Sequence, residues 1–195
     1  MIFHMTGNSI LRAEKIILKN KKIVLVRELE RADKEPLFNY LQLLSPESRS
    51  RFGPHPFDWA TIQAIFNQPD ERIKRYIAVS NPENAVIAYM LIQQGMIEAD
   101  QLRYAQRNQF FDLDKTVTFA PSVADAWQST GLGTAMSACI EKELLDRGIN
   151  KIILWGGVQA SNLKAVNFYK KSGYQFLASF WHDEKDNYDM IKDLH

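Results

Sequence analysis

A chain of 195 residues, 46% hydrophobic and 24% charged, holds enough apolar material for one hydrophobic core and is neither fibrous nor disordered in composition. Its 24 Lys+Arg against 23 Asp+Glu leave a formal net charge of +1, which excludes a global field that would draw in nucleic acid or an anionic membrane. A lone cysteine, Cys139, excludes an internal disulfide. It falls on the face Leu132, Met136, Cys139, Ile140 of an expected helix and reads as a small buried hydrophobe. Met1–Lys15 lacks the basic and apolar regions of a secretory signal, and no run approaches the roughly 18 apolar residues of a membrane helix. The expectation is a single-domain, cytoplasmic protein spanning residues 1–195, with 1–15 a loosely assigned extension.

In chain order, Ile16–Leu18 and Ile23–Arg27 read as two strands around a polar turn. Leu37, Tyr40, Leu41 and Leu44 recur at helical spacing from Asp33 to Leu44, and Ser45-Pro46 breaks the pattern. Arg49–Phe57 carries two prolines and a glycine and is expected to be irregular. Asp58 reads as the N-cap of a second helix with Ile62, Ile65 and Phe66 on its apolar face. Arg75–Val79 and Ala85–Ile92 form a second hairpin around Ser80–Asn84. The polar segment Gly95–Lys115 has no settled periodicity, Ile97, Leu102 and Tyr104 being compatible with a partly helical stretch, and reads as an insertion or lid. A strand at Thr116–Val123, a glycine turn and a helix to Arg147 with Gly148 behind it follow. Next come a strand at Lys151–Trp155, a helix at Asn162–Lys171, and a last hairpin, Tyr174–Trp181 with Tyr188–Leu194. Strand-helix-strand-helix embedded between hairpins predicts an α/β (α+β) fold: a mixed, mostly antiparallel twisted sheet with helices on both faces.

The stretch richest in chemistry is Val123-Ala124-Asp125-Ala126-Trp127-Gln128-Ser129-Thr130-Gly131-Leu132-Gly133-Thr134, which joins a strand to a helix. Glycines let a ligand approach the backbone, and the free amides of a helix start attract phosphate oxygens. A Walker loop is excluded, because no Gly-Lys-Ser/Thr run occurs. A dinucleotide fingerprint is disfavoured: Met136 stands where a third small residue belongs, and no acidic residue lies near Lys151.

Gln128-Ser129-Thr130-Gly131-Leu132-Gly133 resembles the Gln/Arg-x-x-Gly-x-Gly/Ala motif of the GNAT superfamily, the acyl-CoA-dependent N-acetyltransferases. Asn162, Ala165 and Phe168-Tyr169-Lys170-Lys171-Ser172-Gly173-Tyr174 are similar to that family's Asn-x-x-Ala-x-x-Phe-Tyr-x-x-x-Gly-Phe/Tyr segment. The resemblance covers about Ile16–Leu194 and is strongest from Thr116 to Tyr174. It implies two central strands that splay apart to admit a pantetheine arm. Backbone at Val123 would pair with that arm, and amides of Gln128, Ser129, Thr130, Gly131, Leu132, Gly133 and Thr134 would cradle a pyrophosphate. Asn162 would help position the arm, with acetyl-CoA as co-substrate, an amine as the other substrate and no metal. Homodimerisation through the last hairpin or a sheet edge is compatible with the resemblance.

Aminolysis of a thioester needs a neutral amine, a donor for the oxyanion and a proton for the departing thiolate. The resemblance assigns the acid to Tyr169 and the oxyanion donor to a backbone amide beside Val123. The base stays open. The strand Thr116–Ser122 carries no carboxylate where many relatives have a Glu, which leaves Asp125, Glu98, Asp100, Asp112, Asp114, His55 or a chain of waters. Gly156-Gly157 after Trp155 is either a substrate opening or an ordinary bulge, and acidic residues in 95–115 are read as a solvated lid rather than a site for a cationic amine. A non-catalytic acyl-CoA-binding module is the alternative function.

Overall fold

The computed structural model describes residues 13–195, so the expected extension at 1–15 lies mostly outside the described residues. A hairpin of β1 (Glu14–Ile17) and β2 (Ile23–Glu28) leads through a 3-10 turn to α1 (Lys34–Leu43) and a short α2 (Pro46–Arg49). Sequence reading takes Ser45-Pro46 as a breaker; instead Pro46 opens α2 at a position where its missing N–H costs nothing, and Ser45 Oγ accepts from the Ser48 amide at 3.2 Å. Asp58 caps α3 (Trp59–Asn67), its carboxylate accepting from the Thr61 amide at 2.8 Å.

Strands β3 (Ile73–Ser80) and β4 (Val86–Gln94) form the second hairpin, and the segment expected to be a lid contains a packed helix, α4 (Glu98–Ala105). Then come β5 (Thr116–Val123), α5 (Leu132–Asp146), β6 (Lys151–Leu154), an unanticipated two-residue β7 (Val158–Gln159), α6 (Leu163–Lys171), β8 (Gln175–His182) and β9 (Lys185–Asp193). The final turn is tighter than expected: Asp183 and Glu184 alone make it, both at positive φ (48° and 57°), so Lys185–Asn187 belong to β9.

The nine strands among the described residues join in one sheet of order β1-β2-β3-β4-β5-β6-β9-β7, with β8 on the other side of β9. Pairing is antiparallel except between β5 and β6, which α5 connects as a crossover. Strand β4 is buried on both faces, and its alternation sorts two cores. Met90 and Ile92 meet Leu132, Met136, Ile140 and Leu144 of α5 and Val166 and Tyr169 of α6. Tyr89 and Leu91 meet Leu37, Tyr40 and Leu41 of α1 and Ile62 of α3. Cys139 lies in the α5 core; burial and the Glu14 carboxylate, 3.1 Å from its sulfur, push its thiol up to about 12, so it stays protonated.

Candidate active site

Pairing between β5 and β6 runs from Thr116↔Lys151 to Phe119↔Leu154, and the Trp155 amide donates to Phe119 O at 2.9 Å as the last rung. Beyond it β6 turns away at Gly156 and Gly157, both at positive φ, while β5 continues beside β4 to Val123. The Ala124 amide bonds Ile87 O on β4; by alternation the peptide groups of Phe119, Pro121 and Val123 point away from β4, Phe119 onto β6 and Pro121 and Val123 onto the opening. Pro121 is tolerated there because no β4 bond is lost, and it contributes no donor. Val123 therefore brings the free amide of this open edge, and its carbonyl accepts from Gln128 Nε2 at 3.3 Å.

The opening continues into a groove of about 1560 Å³ whose other end is the glycine turn. Gly131 stands at φ 89° as the N-cap of α5, with no heavy atom within 4 Å of where a Cβ would sit. The first helical bond runs from the Ala135 amide to Gly131 O, which leaves the amides of Leu132, Gly133 and Thr134 without helical partners. Gly133 is close to Phe168, whose ring carbon would lie 3.5 Å from an added Cβ. Ser129, at φ 61°, and Thr130 line the groove beside them. Gln128 differs from expectation: its amide is consumed in the preceding turn, donating to Ala124 O at 3.1 Å, and its side-chain Nε2 folds back onto Val123 O and Ser48 Oγ, 3.3 Å from each. Lys19, Lys164 and Lys171 also line the groove, and a cradle of free amides with open space at Gly131 has the donor set for a pyrophosphate.

Asn162 and Tyr169 also line the groove. Asn162 Oδ1 caps α6 by accepting from the Ala165 amide at 3.2 Å, so its Nδ2 is the part left for a ligand. Tyr169 packs beside Phe168 and Tyr174, and burial alone pushes its phenol well above the usual tyrosine range. It is fully protonated at neutral pH.

The carboxylates considered as bases are mostly spent elsewhere. Asp125 is partly desolvated, yet hydrogen bonds from Ser48 Oγ (2.6 Å) and from Ser45 N and Oγ (2.9 Å each) hold its carboxyl below the usual range; it fastens α2 to the turn. Asp112 and Asp114 lie before Thr116, at the opposite end of β5, and Glu98 is exposed. His55 Nδ1 donates to Pro56 O at 2.7 Å and its Nε2 accepts from Tyr89 OH at 3.3 Å, within an aromatic cluster of Phe52, Phe57 and Tyr89. Asp100 has no exposed side-chain surface; burial raises its pKa against the pull of Arg103, and its Oδ2 accepts from the Gly156 amide at 3.1 Å. It anchors the bend that opens the splay.

The two glycines of that bend differ. A Cβ on Gly157 would lie 2.8 Å from Phe180 Cε1 and from Tyr188 O, whereas nothing stands within 4 Å at Gly156. Gly157 is a close-packing position and Gly156 borders the groove. Across the mouth, Gln159 on β7 reaches the loop after α2, and α4 forms the remaining wall with Asp100, Arg103, Gln106 and Arg107. The polar character of α4, read from sequence as a solvated lid, thus conceals a helix that buries Asp100 and Tyr104 and is held, with the turn after it, by ion pairs to β9. Among the described residues no grouping of side chains suited to a metal occurs, and no helix is long and apolar enough to cross a membrane.

A splayed strand pair leading to a phosphate-type helix start is the architecture of an acyl-CoA-dependent acetyltransferase fold. A model of the acetyltransferase (GNAT) family matches residues 37–174, and the chain belongs to that family. Similar solved structures include the GNAT domain of S. lividans PAT, with TM-score 0.74 and 18% identity over 93% of this chain and 97% of that one. The ribosomal-protein-S18-alanine N-acetyltransferase from Escherichia coli aligns with TM-score 0.59 and 20% identity over 88% of this chain and 94% of that one. AAC(6')-Ib, solved with paromomycin and acetyl-CoA, aligns with TM-score 0.65 and 20% identity over 87% and 93% of the two chains. At these identities the likeness shows the fold alone. No curated protein matches the sequence.

Proposed function

We propose that the chain is a cytoplasmic N-acetyltransferase that moves an acetyl or other short acyl group from acetyl-CoA to a primary amine by direct attack, without an acyl-enzyme. The observation that carries this reading is the open edge of β5, where pairing ends at Phe119 and the Val123 amide faces a groove that also reaches the free amides at Gly131–Thr134. When bound there, acetyl-CoA supplies the thioester carbonyl that an amine attacks. Val123 N–H donates to oxygen on that open edge, since Pro121 offers no donor. Amides of Ser129–Thr134 hold the phosphate end, the Gln128 side chain bracing the turn beneath them through Val123 O, and Asn162 Nδ2 lies along the path between. Tyr169 keeps a proton on its phenol for the departing sulfur. With Asp100 and Asp125 both hydrogen-bonded, water in the groove takes the amine's proton; Ser122, bonded to Tyr40 at 2.7 Å, is the hydroxyl nearest that route along β5.

The same engaged carboxylates favour a second reading, a non-catalytic acyl-CoA-binding module that keeps the groove and lacks the chemistry. Melting curves with acetyl-CoA and with NAD, followed by thiol release over a panel of amines, separate the two. Ligand at about 100 times its dissociation constant raises stability by about 2.7 kcal/mol. A shift with acetyl-CoA and release of thiol supports the enzyme; a shift without release supports the binding module; no shift at millimolar acetyl-CoA removes both.

A further inference from the structure

Asp100 and Asp189 expose no side-chain surface, and a buried carboxylate demands a countercharge. Arg103 supplies it to both: Nη2 lies 2.6 Å from Asp100 Oδ1 and 2.8 Å from Asp189 Oδ1, with Nε 3.1 Å from each Asp189 oxygen. Arg107 adds Nη1 at 2.6 Å from Asp189 Oδ2 and donates from Nη2 to Ser179 O at 2.7 Å. The Phe180 ring lies 3.9 Å from the Arg103 guanidinium carbon and holds its plane.

The four charges sum to zero, but their depth does not. The arginine side chains are 15% and 30% exposed against 0% for both aspartates, and both arginines line the groove. The groove therefore meets the positive end of the cluster. Arg103 Nη1 and Arg107 Nε have no partner among the described residues, so each guanidinium keeps a donor for a ligand. Other walls add to the same sign. Arg51 and Lys185 line the groove, and the acid paired with Arg51, Glu47, is 70% exposed, where water screens the pair. Besides the covered Asp100, the carboxylate lining the groove among the described residues is Asp183, which is 79% exposed. The charge of this wall is the reverse of what acidic residues in the segment suggest from sequence.

We propose that the acceptor is a primary amine that carries a carboxylate, and that Arg103 on α4 and Arg107 in the turn after it recognise that carboxylate, with Arg51 and Lys185 adding longer-range attraction. This rests on the acyltransferase reading of the same groove. A guanidinium fork matches a carboxylate's two oxygens, which gives direction as well as attraction, and a polyamine would meet repulsion at this wall. Free amino acids and acidic peptides share the required chemistry, and the probes separate them.

Calorimetric titrations, each run with and without coenzyme A, test the proposal without turnover. The probes are 4-aminobutyrate and its amide, the peptide Ala-Glu-Glu-Ala and its Ala-Gln-Gln-Ala amide, and spermidine. The carboxylate member of at least one pair binds about tenfold or more tighter than its uncharged twin, a difference that shrinks with salt. The pair that discriminates identifies the source as small molecule or peptide. Arg107→Gln abolishes the preference while coenzyme A affinity stays within about twofold, and Arg107→Lys keeps part of it. Lys185→Gln, at an exposed position, weakens the preference to a smaller degree. Equal affinities within both pairs, tighter binding of spermidine, no binding of any probe at millimolar concentration, or a preference that survives Arg107→Gln in a folded variant each overturns the proposal. Coenzyme A binding without the preference removes this inference alone, and the preference without coenzyme A binding removes the acyltransferase reading alone.

Discussion

Gln159 donates from Nε2 to the backbone carbonyl of Ser50, 2.9 Å away, and so joins β7 to the loop after α2 across the mouth of the groove. A single partly exposed hydrogen bond contributes about 0.5–1.5 kcal/mol, small against the whole fold. Its position matters more than its strength, because a pantetheine arm in the splay would leave by parting these two walls. Gln159→Ala is expected to lower the melting temperature by only a few degrees, about what such a bond implies, and to speed coenzyme A dissociation roughly threefold to tenfold in stopped-flow measurements. An unchanged off-rate would mean the bound arm does not pass beneath this bridge.

Gly131 can be tested with a pair of near-isosteric substitutions. Its φ of 89° disfavours most side chains, but Asn and Asp tolerate this region best and at similar cost, so the two variants should lose comparable stability, about 1 kcal/mol. They differ in charge. If phosphate oxygens meet the free amides beside Gly131, Gly131→Asp binds coenzyme A at least about tenfold more weakly than Gly131→Asn in calorimetry. Equal affinities would place the phosphates elsewhere.

Local signals made part of this architecture legible. The Asp58 cap, the polar turns of the early hairpins, the glycine turn and the start of the helix near Asn162 are each written in a few adjacent residues, and the structure forms an element at every one. Helix α4 is legible only as a partly helical stretch at Ile97, Leu102 and Tyr104, because its buried positions include Asp100 and its anchor Arg103 finds Asp189 a separation of 86 residues away. Burying charge depends on a partner that no periodicity reveals. Strand β7 is two residues long and exists only because β9 continues past the bend. Asp183-Glu184 lacks the glycine that ordinarily marks a two-residue turn, so the sequence puts the start of the last strand at Tyr188, later than Lys185 where it begins. The splay followed from family resemblance, since nothing in β5 alone says where its pairing with β6 stops.

Gly157 should be the least replaceable glycine of the bend. At φ 72° a Cβ would sit 2.8 Å from both Phe180 Cε1 and the Tyr188 carbonyl oxygen, and the carbonyl belongs to a paired strand that cannot yield. Gly157→Ala is expected to cost about 3 kcal/mol from positive φ and overpacking together, measured by urea unfolding. Gly156→Ala, with no atom within 4 Å, should cost only the conformational part, about 1 kcal/mol. Similar losses at both would show that β8 shifts to make room.

Tyr169→Phe separates binding from chemistry. The ring fills the α6 core and stays, so coenzyme A affinity should remain within about twofold, while turnover falls by about tenfold to a hundredfold through loss of the proton donor. Because burial raises the phenol's pKa, no loss of activity from its ionisation is expected as pH rises through 9 in the wild type. A variant with full turnover would confine Tyr169 to packing.

His55 should make stability depend on pH in a definite direction. Burial lowers its pKa below 6.5, with Arg75 acting the same way against the backbone bond to Pro56 and the nearby Asp58. The folded state then holds the ring neutral where the unfolded chain already binds a proton, so protonation favours unfolding. The stabilising contribution is complete above 6.5 and is lost as pH falls through that value toward the depressed folded one. Urea unfolding at about pH 7.5, 6.5 and 5.5 should show wild type losing stability faster than His55→Gln, the gap between them closing toward the acid end before carboxylates near their usual pKa of about 4 begin to protonate. A gap that stays constant over this window would mean that the ring titrates alike in both states and that the Tyr89 contact holds it in either form.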